Sequence, residues 1–128
     1  NQMSEGIAFE IIYIQKETER GLTEKLSDDL LLNNLSNLGK EFGFEVSFLK
    51  EKNFTNQTKI GLIDLSGKTF VKNLKEKLQR PSSFDLSDPR RVLIQVQFDQ
   101  GVLEFKISRK RISASKPHQL LVFFHLFS

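Results

Sequence analysis

From Arg90 to Arg111 the chain reads RRVLIQVQFDQGVLEFKISRKR, and no other stretch limits the fold so strongly. Val92, Ile94, Val96 and Phe98 alternate with Leu93, Gln95 and Gln97. After Asp99-Gln100-Gly101 the pattern resumes, with Leu103, Phe105 and Ile107 set against Glu104 and Lys106. A period of two on both sides of a glycine-containing turn marks two antiparallel strands sharing one apolar face. The three-residue connection predicts a type I turn plus a bulge, with Gly101 in the left-handed conformation. A hairpin with one apolar face is not stable alone, so the rest of the chain must supply a layer against it.

Two amphipathic helices fit that need. Leu22, Leu26, Leu30, Leu31, Leu35, Leu38 and Phe42 recur at spacings of three and four, with Ser27-Asp28-Asp29 near the start and Gly43 as a left-handed stop. Ser66-Gly67 opens a second helix that turns Phe70, Val71, Leu74 and Leu78 inward and ends before Pro81. The segment Ile7 to Ile14 (IAFEIIYI) is dense in β-branched and aromatic residues and predicts a central strand, followed by a polar linker over 15–21. Phe44, Val46 and Phe48 predict a half-buried strand, and Lys59 to Leu65 another. Residues 81–89 (PSSFDLSDP) and 108–117 (SRKRISASKP) read as loops, and Leu120 to Phe127 as a closing strand, with a short helix as the alternative. The expected class is α+β, with two helices packed on one face of a mainly antiparallel sheet. The order β-α-β-β-α-β-β-β corresponds to a ferredoxin-like core with C-terminal strands.

The 128 residues suit a single α+β domain, 1–128, and the absence of an initial Met fits a domain excised from a longer chain. With 38% hydrophobic and 27% charged residues the chain is too apolar for disorder, and twelve Phe against one Tyr and no Trp predict a phenyl-rich core. No cysteine is present, which removes disulfides and thiolate metal sites. No apolar run of bilayer length and no signal-like N-terminus occurs, which favours a soluble, intracellular setting.

The net charge of +3 conceals a division. Residues 1–64 hold 7 basic and 11 acidic groups (−4), and residues 65–128 hold 12 basic and 5 acidic groups (+7). Arg90 and Arg91 enter the hairpin, while Lys106, Arg109, Lys110, Arg111 and Lys116 leave it. Antiparallel pairing brings those two groups to one end. Converging Arg and Lys side chains suit an anionic partner: an acidic protein, a nucleic acid or a lipid headgroup. A non-catalytic binding or regulatory module follows as the expected function, acting through this basic end or through a sheet edge that pairs with a protein partner or a second copy.

Catalytic patterns are thinner. Glu104-Phe105-Lys106 has the E-x-K form of a metal-dependent nuclease strand, which needs Asp99 or Asp64 as a second carboxylate; this is the enzymatic alternative. Gly67-Lys68-Thr69 lacks the four-residue spacing of a phosphate loop and reads as a helix start. His118 and His125 have no third ligand, Asp85 and Asp88 fit turn chemistry, and no serine has a histidine partner. No cofactor is expected.

Overall fold

The computed structural model describes residues 2–113. Their elements are α1 (Gln2–Thr23), α2 (Asp28–Phe42), β1 (Glu45–Lys50), β2 (Thr58–Lys59), α3 (Leu65–Leu78), β3 (Ser82–Asp85), β4 (Arg91–Phe98), β5 (Gly101–Ser108) and α4 (Lys110–Ser113). The class is α+β as expected, with four helices among the described residues and a five-stranded mixed sheet ordered β1-β5-β4-β3-β2. The chain does not follow the predicted order, because its first expected strand is a helix. The closing strand expected over 120–127 lies outside the described residues.

The correction at Ile7–Ile14 has a plain physical cause. Ile7, Ala8, Ile11, Ile14, Gln15 and Thr18 are buried at spacings of one, three and four, the stripe of a helix embedded in a core. Phe9 and Tyr13 lie on the outer face, and their apolar character masks that period. The supposed linker 15–21 continues the same helix. Within it Gln15 Nε2 donates to the Leu78 carbonyl at 3.1 Å, tying α1 to the end of α3. The leucine stripe is also divided. Leu22 belongs to α1, Lys25 takes a positive φ of 57°, and α2 starts afresh with Ser27 Oγ accepting from the Leu30 N–H. Gly43 ends α2 as expected, at φ 86°, returning its N–H to the Gly39 carbonyl at 2.8 Å.

In the sheet, β2 runs parallel to β3 and every other pair is antiparallel. The registers align Val46, Phe105, Ile94 and Phe84 in one row, and Phe48, Leu103, Val96 and Ser82 in the next. This face joins the buried side chains of α1, α2 and α3 in one core. The opposite face carries the row Glu45, Lys106, Leu93, Asp85 and Lys59, and the row Ser47, Glu104, Gln95 and Ser83. Because β1 and β2 form opposite edges, residues 51–57 cross this polar face, and Lys52 Nζ reaches Glu104 at 3.3 Å on the way.

Three local expectations change. Phe98 pairs with Gly101, so the hairpin loop is Asp99-Gln100 alone. Gly101 is needed for closeness instead of handedness, since a Cβ there would sit 2.5 Å from the Leu49 carbonyl oxygen of β1. The 81–89 loop contains β3, whose serines accept burial because the strand is flanked on both sides. The strand expected over 59–65 stops at Lys59. A turn follows, and Asp64 caps α3 by accepting the Gly67 N–H at 2.9 Å.

Asp64 also receives the Arg109 guanidinium. Burial raises the Asp64 carboxyl, but the Arg109 hydrogen bond, the Gly67 N–H and the Arg109 charge outweigh it, leaving the pKa below the ordinary value. A lowered folded pKa gives stability above the unfolded pKa that is lost as pH falls through the folded one. Asp64→Asn keeps a cap acceptor but removes the charge, so it should cost about 2 kcal/mol at neutral pH. Urea denaturation should show that gap starting to close below pH ~4, where the unfolded carboxyl takes up a proton, and closing fully only at the lower pH where the folded one does. A gap that persists in acid would mean that the charge is not what matters.

Candidate functional site

An open cleft of about 480 Å³ lies at the foot of the hairpin, where β4 begins and β5 ends. Arg91 pairs with Ser108 and Leu93 with Lys106, so Arg91 and Lys106 project from the same polar sheet face, one register step apart on neighbouring strands. Arg90 precedes β4 and borders the same space, as do Gly43 and Phe44 after α2 and Glu45 at the start of β1. The residues closing α2 thus form one wall, and the ends of the hairpin strands the other.

Its electrostatics are mixed. Asp88 accepts the Arg90 backbone N–H at 2.8 Å, and its carboxylate also meets Arg90 Nε at 3.4 Å and Arg91 Nε at 3.7 Å. The Arg90 N–H, helped by the charges of Arg90 and Arg91, holds the Asp88 carboxyl below its ordinary range against the opposing effect of burial. Glu45 stands beside Lys106 in register. Among the described residues Lys106 makes no ion pair. Three cations against two carboxylates leave the cleft with an excess of one positive charge. The Arg90 and Arg91 side chains are 89% and 57% exposed, so their contacts with Asp88 are water-screened and open to exchange for another anion.

Of the seven expected cations, the structure brings three to this cleft: Arg90, Arg91 and Lys106. Arg109 and Arg111 do not line it, because both are engaged within the fold. Arg109 binds Asp64, with both side chains largely buried. Arg111 donates to the Phe42 carbonyl at the end of α2, meets Glu10 at 3.3 Å and lies over the Phe44 ring at 5.7 Å. Lys110 is exposed on α4, which replaces part of the expected loop, and Lys116 lies outside the described residues. Asp88, read in the sequence only as turn chemistry, proves to be the counter-charge of the arginine pair.

The E-x-K strand is differently engaged. Glu104 accepts from Gln95 Nε2 at 2.8 Å and Lys52 Nζ at 3.3 Å, and only 12% of its side chain is exposed. Asp99 lies four residues along the strand from Gln95, the partner of Glu104, or roughly 13 Å away, and Asp64 is committed to Arg109. Among the described residues no three His, Cys, Asp or Glu side chains stand close enough to hold a metal ion. Nor is any helix among them long and apolar enough to cross a membrane. Gly67-Lys68-Thr69 is a capped helix start, with Lys68 Nζ donating to the Leu62 carbonyl at 2.8 Å. No protein-family model, curated protein or solved structure matches the chain, so its chemistry rests on these residues alone.

Proposed function

We propose that this chain is a non-catalytic binding module that takes an anionic group into the cleft at the foot of the hairpin. The observation that carries this reading is the placement of Arg90, Arg91 and Lys106 around one open space, two of them on adjacent strands and none consumed by the core. The sheet fixes the backbone from which Arg91 and Lys106 project, so a partner has only side chains to order there. Exposed arginines offer planar, two-pronged donors for a phosphate or carboxylate, which displaces Asp88 from them.

A fluorescent short oligophosphate tests this by anisotropy. Binding should be present at about 0.05 M salt and fall steeply by about 0.5 M, as screening removes the attraction. Arg90→Glu with Arg91→Glu should weaken it by about tenfold or more, equivalent to about 1.4 kcal/mol. The same variant should keep the wild-type urea midpoint, because neither side chain supports the core. No binding at low salt, or an equal affinity in the double variant, would remove the cleft from consideration.

A further inference from the structure

Leu62, Ile63 and Leu65 are 91%, 93% and 70% exposed. Leu62 and Ile63 project from the turn between β2 and α3 and Leu65 from the first position of α3, and that turn is firmly held. The Asp64 N–H bonds the Gly61 carbonyl at 3.2 Å, and the Leu65 N–H bonds the Ile63 carbonyl at 3.0 Å. Lys68 Nζ closes on the Leu62 carbonyl, while Asp64 is clamped between Gly67 and Arg109. The backbone is therefore pinned in a shape that directs three large aliphatic side chains into water. Apolar patches of this kind on a folded chain often serve an interaction.

Charge surrounds the tip in a definite pattern. The one acid within it, Asp64, faces Arg109. The Arg109 N–H bonds the Arg90 carbonyl at 2.8 Å, which places the tip beside the exposed arginine at the hairpin foot. From Leu65, α3 carries Lys68, Lys72 and Lys75 at spacings of three, four and three, one exposed helical stripe running back from the tip. Among the described residues none of the three lysines makes an ion pair.

We infer that this tip docks on an anionic bilayer surface: Leu62, Ile63 and Leu65 enter the headgroup–acyl boundary, and Lys68 and Lys72 remain among the headgroups. Shape favours lipid over a folded partner. Three side chains on a convex turn offer on the order of 400 Å², well short of the ~800 Å² that each partner contributes to a stable protein interface. A bilayer needs no complementary pocket, and it rewards aliphatic insertion flanked by cations. This inference uses residues outside the cleft and stands without the cleft reading.

The chain has no Trp, so Ile63→Trp provides a single reporter at the tip. The experiment combines vesicle co-sedimentation with indole fluorescence, using phosphatidylcholine vesicles with and without about 30% phosphatidylserine. Binding is expected only with phosphatidylserine, accompanied by a blue shift of the indole. Leu62→Ser with Ile63→Ser should reduce binding at least about tenfold through lost apolar insertion, and Lys68→Glu with Lys72→Glu should reduce it comparably through lost attraction. Absent binding at low salt overturns the inference, as does binding without a shift. An indole already blue-shifted before vesicles are added also overturns it, because the tip is then covered by protein. So does a concentration-dependent dimer that the serine variant abolishes. Vesicle binding lost in Arg90→Glu/Arg91→Glu but retained in the serine variant assigns the lipid to the cleft and refutes the tip.

Discussion

Phe105→Ala should destabilise the fold by about 4 kcal/mol, a large share of the total for a domain of this size. Phe105 is fully buried at the centre of β5, between Val46 on β1 and Ile94 on β4. Its ring meets Phe44 edge-on at 6.1 Å. Phe44 in turn stacks near Phe42 at 6.0 Å, and Phe42 contacts Tyr13 of α1. Removing the ring opens a void whose walls are hydrogen-bonded strands, and such walls move in little. Phe48→Ala, one row along and only partly buried, should cost less than half as much. Urea denaturation followed by far-UV circular dichroism measures both. Equal losses would show that the phenyl chain is not the centre of the core.

Arg111→Ala should cost about 3 kcal/mol, although Arg111 reads in the sequence as one more surface cation. Phe42 is the last residue of α2, and its carbonyl lacks an intrahelical partner. Arg111 supplies one, meets Glu10 of α1 with the same guanidinium and packs over Phe44. Truncation strands a largely buried carboxylate and a helix terminus together. Arg111→Lys should recover only part of the loss, because an ammonium is a single point and cannot span the two acceptors. Arg91→Ala serves as the contrast, with a change within about 0.5 kcal/mol. The distinction between internal and external cations fails if Arg91→Ala and Arg111→Ala cost the same.

The hairpin was legible because alternation over two runs has one structural solution, and Val92 to Phe98 and Leu103 to Ile107 bury as their pattern demands. Ile7 to Ile14 was not, because apolar residues on both faces of a helix erase the contrast on which periodicity depends. Short β3 escaped notice since Ser82 and Ser83 are turn formers that only neighbouring strands make into ladder residues. The site shows the same division. Antiparallel pairing, legible in the alternation, brings Arg90, Arg91 and Lys106 to one end of the hairpin. That alternation carries no information on Glu10 and Asp64, which lie 101 and 45 residues from the arginines they neutralise. Likewise Leu62, Ile63 and Leu65 read as strand interior, and the turn and the cap at Asp64 direct them outward.

The packing of α1 against α4 sets an order of events during synthesis. Glu10 cannot meet Arg111 until more than a hundred residues have followed it, and β1 finds its partner β5 only after β2, α3, β3 and β4 have been made. A chain growing at ~5–20 residues per second thus presents the apolar stripe of α1 for roughly 5–20 s without its final neighbours. Ile7, Ile11 and Ile14 are then exposed apolar surface of the kind a holdase chaperone binds. The β4–β5 pairing, joined by two residues, closes within microseconds of emerging. Among the described residues, the late arrival of β5 and α4 brings the last neighbours to elements made much earlier.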